Sequence, residues 1–513
     1  MKETMMSDSR TKNTKRNLIS ALVQEFAIIF FPFITRTLLL YKLGEEYQGL
    51  NGLFTSILSV LNLSDLGFSS AVVYILYKPI AEDNTDQVCA IISYFRKVYR
   101  VIGLVVLTVG LVLMPFLPYL IKGTYPGDIN LYALYFVYLA NSVVSYWLFA
   151  YKSALFNALQ RADIVNRVVT ITKTLMNLTQ IVVLLLFANY YIYIICMPLF
   201  TIMNNLLLEY VSRKYFHQYM PRGDIQSDTK TKLIQQVKGV FINRVGDVAR
   251  NSADNLFISS FIGLTAVAIY NNYYYIYQAV YGISMAISNS LSGSVGNSIA
   301  KEIPKKNYND MCKFTFIFSW FCGICTVCLF CLYQPFMYIW MRGETRLMLS
   351  ELNKFLLCLY FYAITMNNIR NQYSNGAGLF WDLRAFYILE AGANIILNYF
   401  LGKNFGITGI ILATLITIIV FNFISRTNVL FKKYFQTSPA QYYMQYVVNL
   451  GITIVTTSVC YYLCSIVPGT GMKSLLIKAV ICLVSSNTFF LLFYNQSKQF
   501  KEAVFFLKKL GKQ

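Results

Sequence analysis

Long apolar segments separated by short polar ones dominate the chain, a pattern that predicts a bundle of membrane-crossing helices. Mostly apolar runs occur at Leu18–Leu40 (broken by Glu25 and Arg36), Val101–Leu120, Phe405–Phe423 and Val447–Val467. Each is long enough to cross a hydrocarbon core roughly 30 Å thick. Read along the whole chain, the pattern predicts fourteen spans. They are 17–41, 50–77, 98–121, 129–151, 166–187, 190–212, 238–262, 266–297, 312–340, 349–374, 385–402, 405–427, 442–466 and 474–494. The expected fold class is an all-α polytopic membrane protein of about 14 transmembrane helices.

One predicted span breaks the pattern. Gln235–Gly263 reads QQVKGVFINRVGDVARNSADNLFISSFIG. At 100° per residue, Asn243, Asp247, Arg250 and Asp254 project within an arc of roughly 60°, flanked by Arg244, Asn251 and Asn255. Each charge at a bilayer centre costs roughly 2.5–3.5 kcal/mol. If this helix spans, its polar stripe faces a partner or a wet cavity.

Composition and charge decide whether it spans. The chain is 56% hydrophobic and only 13% charged, with a net charge of +21. A soluble chain carries about twice that charged fraction. Nucleic-acid binding would explain the basic excess in a soluble protein, but here the positive-inside rule explains it. With fourteen spans and a cytoplasmic N-terminus, the inner loops and tails collect roughly 31 of the 44 Lys and Arg residues, the outer ends about 8. Were 238–262 not a span, Lys301, Lys305, Lys306, Lys432, Lys433 and the Lys-rich tail would all lie outside. The rule therefore makes the polar helix the seventh span, with both termini cytoplasmic. The charged leader is followed by a long apolar run, not the short one of a cleavable signal peptide.

An internal repeat divides the chain. PFLPYLIKG at 115–123 matches PFMYIWMRG at 335–343, an offset of 220. Arg213-Lys-Tyr-Phe216 matches Lys432-Lys-Tyr-Phe435, and Leu43-Gly44 matches Ile262-Gly263, both at 219. Six spans separate matched positions, so the halves share one orientation, related by an axis along the membrane normal. The expected organisation is a cytoplasmic leader (1–16), an N-lobe of six spans (17–216), a cytoplasmic loop (217–237) and a C-lobe of six spans (238–435). Two further spans (442–494) and a basic cytoplasmic tail (495–513) follow.

Several segments resemble the Wzx-type oligosaccharide flippases. Arg36-Thr-Leu-Leu-Leu-Tyr-Lys-Leu-Gly-Glu-Glu-Tyr-Gln-Gly-Leu-Asn51 is similar to that family's first outer turn. Leu63-Ser-Asp-Leu-Gly-Phe68 and Tyr77-Lys-Pro79 follow in order. Asp254-Asn-Leu-Phe-Ile-Ser-Ser-Phe-Ile-Gly263 with Tyr270-Asn-Asn-Tyr273 resembles the central motif, and Ala377-Gly-Leu-Phe-Trp-Asp382 and Phe405-Gly-Ile-Thr-Gly409 add matches later. The resemblance covers roughly residues 15–440, and the order and spacing of loose motifs carry it. These flippases share a superfamily with multidrug-and-toxin-extrusion exporters and lipid II flippases. The resemblance implies a V-shaped protein of two six-helix lobes. It also implies transfer of an undecaprenyl-pyrophosphate-linked oligosaccharide, for O-antigen, capsule or teichoic acid synthesis, from the inner to the outer leaflet of a bacterial cytoplasmic membrane by alternating access. Arg250 and Asp254 fall where the family tends to be polar; Arg244 and Asp247 are not tied to its pattern.

A substrate of that kind calls for cations for the anion, polar and aromatic groups for sugars, and a lateral opening for the lipid. Arg36, Arg244, Arg250, Lys173 and Arg370 are the candidate cavity cations within spans. Arginine suits phosphate because its planar fork donates two parallel hydrogen bonds. Structural ion pairing competes with a cavity role for each, and Lys173 is near enough to its span's end to snorkel. Glu25, Asp65, Asp247 and Asp254 are candidates for ion coupling or gating, with helix–helix pairing as the alternative; Glu390 is a weaker candidate. Asn251, Asn255, Tyr270, Asn271, Asn272 and Tyr273 are candidate sugar contacts, although an interfacial aromatic belt predicts the tyrosines equally.

No Walker A pattern is present, so a proton, sodium or substrate gradient is the expected energy source. No cofactor is expected. Cys322, Cys325, Cys328 and Cys331 read C-x-x-C-x-x-C-x-x-C, but on an apolar helix this spacing forms a packing stripe and cannot wrap a cluster. His217, the one histidine, lies in the largest inner loop with no motif around it. The expected partners are the lipid-linked oligosaccharide, membrane lipids and polysaccharide polymerase machinery, with no nucleic acid. The alternatives are a polymerase or ligase of the same pathway, disfavoured by the short outer loops, and a small-molecule exporter, disfavoured by the two extra spans. A major-facilitator transporter ranks last, because Lys78–Asp86 lacks that family's signature.

Overall fold

Side-chain caps and left-handed glycines set the helix boundaries. In the computed structural model, residues 10–62, 68–149, 151–227 and 252–497 are described, with shorter pieces in 229–237 and 499–504. The described residues are predominantly helical, with no strand among them. The first half holds α1 (Arg10–Lys42), α2 (Glu45–Leu61), α3 (Phe68–Ala81), α4 (Thr85–Leu113), α5 (Leu131–Trp147), α6 (Lys152–Ala158), α7 (Ala162–Leu186) and α8 (Tyr190–Tyr215). After a described helical piece at 252–261 come α9 (Leu264–Ser290), α10 (Ser292–Lys301), α11 (Pro304–Trp340) and α12 (Glu351–Gly376). The chain closes with α13 (Phe380–Thr417), α14 (Arg426–Leu430), α15 (Ala440–Ile466) and α16 (Met472–Tyr494). Asn84, Asn130, Asn189 and Ser350 each accept a backbone N–H at a helix start. Such caps satisfy donors that the first turn leaves orphaned.

Among the described residues, nine stretches are long and apolar enough to cross a membrane, and a tenth joins α5 and α6 across a 50° bend. In six of the nine, under a third of the most apolar window is buried. α16 has a mean hydropathy of 2.0, yet only 17% of its most apolar window is buried. Leu476, Val480, Val484 and Leu492 stand outward along it. A surface this apolar requires lipid as solvent. The protein is a multi-pass membrane protein.

Most predicted spans map onto these helices with instructive exceptions, while the seventh, 238–262, lies outside the described residues as far as 251. The second is described only as α2 and α3, with residues 63–67 between them outside the described residues. The eighth becomes α9 and α10, which part at Leu291. The eleventh and twelfth are two arms of α13 and its continuation. Gly406 (φ 60°, ψ −136°) breaks the helix. Asn394 Nδ2 then donates to Thr414 Oγ1 at 3.1 Å, although a straight helix would hold residues twenty apart about 30 Å from each other. The chain therefore doubles back. Gly409 has no room for a side chain, because a Cβ there would sit 2.0 Å from the Leu401 carbonyl oxygen.

Two compact units divide the chain, Met1–Ala268 and Ile269–Gln513. The core of the N-terminal unit packs Leu50, Leu53 and Phe54 of α2 with Tyr135, Tyr138 and Leu139 of α5. Polar clasps link its helices: Thr172–Asn204 (3.1 Å) and Gln180 to the Tyr193 carbonyl (3.1 Å) join α7 to α8, and Thr201–Asn141 (2.7 Å) joins α8 to α5. Lipid offers no hydrophobic drive for helix association, so such interhelical hydrogen bonds add to packing.

The repeat has a geometric counterpart at its turns. Gly44 ends α1 with φ 110°, and its N–H reaches the Leu39 carbonyl at 3.3 Å. Gly263 ends the 252–261 helix with φ 127°, and its N–H reaches the Ile258 carbonyl at 3.1 Å. Both are the left-handed helix stop that glycine supplies at least cost. Gly123 and Gly343, matched in the longer motif, also have positive φ (87° and 83°).

Candidate functional site

Polar side chains on apolar helices build the candidate site in the N-terminal unit. α1 carries Glu25 on an exposed face and Arg36 half-buried, about eight residues before the Gly44 stop. Thr35 Oγ1 donates to Asn177 Oδ1 at 3.0 Å, and Asn177 Nδ2 donates to the Lys173 carbonyl at 2.7 Å. These bonds pin α1 to α7 and bring Arg36 and Lys173 to neighbouring levels of one helix pair. Lys173 itself lies on an exposed face of α7. The Gln48 amide of α2 reaches back to the Arg36 carbonyl at 3.4 Å.

Residues 252–261 complete this region. Asp254 and Asn255 are buried, and Asn255 Nδ2 donates to Ser56 Oγ of α2 at 2.8 Å. Lys122 fastens the end of the same piece, donating its backbone N–H to the Ser259 carbonyl (2.9 Å) and its ammonium to the Phe261 carbonyl (2.6 Å). Asn255 and Arg36 stand 219 residues apart, the repeat offset. Asp65, Arg244, Asp247, Arg250 and Asn251 lie outside the described residues.

The remaining predicted residues belong to the C-terminal unit. Tyr270, Asn272 and Tyr273 are buried in α9, while Asn271 is half-buried. Tyr273 acts as a clasp. Its hydroxyl donates to Gln334 Oε1 of α11 and accepts the Leu349 N–H at 3.2 Å, and its carbonyl accepts the Tyr333 hydroxyl at 3.2 Å. Tyr270, Tyr274, Tyr277 and Tyr281 stack in succession along α9, a ladder of near-parallel rings. Arg370 of α12 is wholly buried. Its guanidinium donates to the Asn422 and Phe423 carbonyls, Thr427 Oγ1 (3.1 Å), Asn371 Oδ1 (2.6 Å) and Asn422 Oδ1 (2.8 Å). Its acceptors include a stretch wound as π-helix, Ile418–Ser425.

Among the described residues, three charge clusters escape the sequence reading, apart from Glu390, whose partner it does not name. Asp163 is buried between Arg161 (2.9 Å) and Arg16 (3.1 Å). Lys152, also buried, faces Glu209 at 3.6 Å, and Glu209 bonds Arg213 at 2.6 Å. In the C-terminal unit Glu390 pairs with Arg426, whose guanidinium lies 3.7 Å from the Tyr387 ring centre. Glu209 and Arg426 fall within predicted spans 190–212 and 405–427, so the count that found Arg36 also reaches them. Lys152 stands one residue beyond a predicted span, where a lysine reads as an ordinary loop charge.

Comparison with known proteins supplies the frame for these residues. The family model described as polysaccharide biosynthesis protein matches residues 14–292, more than half of the chain. The fold is that of a solved lipid II flippase, MurJ in its inward closed conformation. The TM-score is 0.67 at 15% identity, covering 94% of this chain and 99% of that one. A MATE-family multidrug resistance transporter in an inward-facing conformation matches with a TM-score of 0.59 at 12% identity, covering 82% and 99%. A mutant of the Vibrio cholerae MATE transporter VcmN gives 0.57 at 14%, covering 84% and 99%. No curated protein matches by sequence. At these identities the structures establish the fold, and the family model establishes the lineage. The chain is thus a multi-pass membrane member of the polysaccharide biosynthesis protein family, built on the fold shared by lipid II flippases and MATE transporters.

Proposed function

We propose that this protein is a secondary transporter that turns an undecaprenyl-pyrophosphate-linked oligosaccharide from the inner to the outer leaflet of a bacterial cytoplasmic membrane. Both termini are cytoplasmic in this reading, and the cycle is one of alternating access driven by a proton, sodium or substrate gradient. One observation carries it: a chain of the polysaccharide biosynthesis family has the lipid II flippase fold over 94% of its length. The uncovered part, about 31 residues, is shorter than α15 and α16 together (27 and 23 residues), so that likeness reaches into the C-terminal helix pair. The MATE transporters leave more of the chain uncovered, which favours a lipid-linked cargo over a small soluble one.

Arg36 is the cation best placed to meet the pyrophosphate, since it is half-buried at a level held by Thr35 and Asn177. Arg244, Arg250 and Lys173 supply further positive charge. Arg370 acts from within the C-terminal unit by holding the π-wound segment, and Asn251, Asn255 and Asn271 offer groups for sugar hydroxyls. Arg250 is held by Asp247 or Asp254 in one state and released to substrate in the other, so the polar helix serves as binding element and switch.

Deleting the gene should cause the lipid-linked intermediate to accumulate on the cytoplasmic face. Loss of drug efflux with no such accumulation would instead identify an exporter. Arg36→Ala and Arg250→Ala should stop surface-polymer export while membrane levels of the protein stay normal. In an Asp254→Asn variant, unchanged binding and transport would rule out the exchange of Arg250.

A further inference from the structure

Three cysteines distant in sequence meet in the C-terminal unit. Cys331 of α11, Cys464 of α15 and Cys482 of α16 are all buried, with their three sulfur atoms within 4.8 Å of one another. The sulfur atoms of Cys464 and Cys482 stand 3.6 Å apart. The C-x-x-C-x-x-C-x-x-C run of α11 thus contributes one residue, and two other helices contribute the rest. We propose that these thiols form a binding site for a single thiophilic metal ion, with Cu(I) the best-suited occupant. This inference is independent of the transport reading.

Geometry and chemistry agree. Metal–sulfur bonds of about 2.3 Å place three coplanar sulfurs around a metal about 4 Å apart. The observed separations lie within an ångström of that, so small rotations of the side chains complete a trigonal site. Thiolates are soft ligands that select Cu(I) over hard cations, and Cu(I) accepts three-coordination. The surroundings enforce the selection: Val327, Cys328, Phe330, Leu332, Cys460 and Ile481 enclose the sulfurs in apolar packing. Such a wall disfavours the strongly hydrated ions that oxygen ligands would hold.

Access and charge are also provided. A cavity of about 300 Å³ is lined by Cys331 and Cys464 together with Gln334, Lys354, Ser465 and Lys478. It reaches Gly469 and Thr470, in the connection between α15 and α16. Binding displaces thiol protons, which leave through this cavity. Glu351, which also lines the cavity, holds Lys354 at 2.6 Å, and Lys478 offsets the negative charge of the thiolate set that remains. The helices themselves fix the site, because α11 packs on both α15 and α16. An occupied site would clamp the C-terminal helix pair to α11.

The test uses the full-length protein, with thiols alkylated at harvest in one sample and kept reduced under anaerobic conditions in detergent in another. Titration with Cu(I) against a chromophoric chelator should show one equivalent retained per chain. X-ray absorption should show a nearest shell made of sulfur alone. Cys331→Ser, Cys464→Ser and Cys482→Ser should each weaken retention at least about tenfold. Cys358→Ser, a buried cysteine outside the cluster, should not. Serine is nearly isosteric, and size-exclusion profiles matching the parent would show that the variants fold. No retained equivalent, or equal affinity in Cys482→Ser and the parent, would overturn the proposal. So would a Cys464–Cys482 disulfide in the harvested sample, since oxidation to a disulfide removes two protons, two electrons and two of the three ligands.

Discussion

Asp163 and Asp382 stand 219 residues apart, the repeat offset, and each occupies the first turn of a helix, α7 and α13. A carboxylate there meets the positive end of the helix dipole. Their surroundings differ. Asp163 is almost fully shielded, its side chain 1% exposed, and answers two arginines at 2.9 and 3.1 Å. Asp382 is 39% exposed and faces one lysine, Lys433, at 3.4 Å. The repeat has kept the helix start and its acid, while the N-terminal unit has drawn that acid out of water and enlisted Arg16 of α1. Turn geometry persists between the halves; the charge networks are specific to each.

The largest effect should come from Arg370, a buried charge whose guanidinium bonds go to neutral groups. Arg370 donates to backbone carbonyls, amide oxygens and a hydroxyl, with its side chain wholly inside. Arg370→Ala removes these donors and leaves buried acceptors unsatisfied, costing roughly 3–5 kcal/mol. Thermal unfolding in detergent should show a severe loss of stability or no folded protein. A stable Arg370→Ala protein that fails only in transport would show that the residue meets substrate.

The Asp163 and Asp382 pair comes next. Asp163→Asn leaves two arginines facing a neutral amide in a buried site, a loss of about 3 kcal/mol. Asp382→Asn breaks an exposed pair and should cost at most about 1 kcal/mol. The two variants measured side by side by thermal unfolding test the contrast directly. Equal losses would mean that the helix dipole, common to both, dominates and that burial contributes little.

The architecture was legible because membrane helices write themselves in long apolar runs. The positions of Gly44, Gly263 and Gly406 were legible too, through the repeat and through an interrupted run. What escaped was tertiary pairing. Asp163 reads as a loop acid at an inner helix end, and nothing in its neighbourhood names Arg16, nearly 150 residues earlier, as its partner. Cys464 and Cys482 read as small apolar residues on separate spans until their helices are packed. The candidate site was half legible: Arg36 and Asp254 stand out as charges in apolar runs, but no local pattern joins Asn255 to Ser56 or Thr35 to Asn177. Those contacts depend on the rotation of each helix about its axis, which a sequence period fixes only to within a broad face.

The finest contrast between the halves is the most discriminating test of the repeat. Gly44 and Gly263 share a left-handed conformation and the same hydrogen bond to the residue five positions earlier. Alanine at either position is held in a region that disfavours a Cβ, at a cost of about 1–2 kcal/mol. Their surroundings separate them. A Cβ on Gly44 meets nothing within 4 Å, whereas one on Gly263 sits 3.0 Å from the Lys122 carbonyl oxygen. That oxygen belongs to the residue whose own N–H and ammonium hold Ser259 and Phe261. Gly263→Ala should therefore cost more than Gly44→Ala in thermal unfolding, and should loosen the polar helix that carries Asp254 and Asn255. Transport would then fall further in Gly263→Ala than its loss of folded protein accounts for. If the two alanine variants behave alike in both measurements, the left-handed turn is the whole of what the repeat conserves, and the strap at Lys122 has no part in positioning the polar helix.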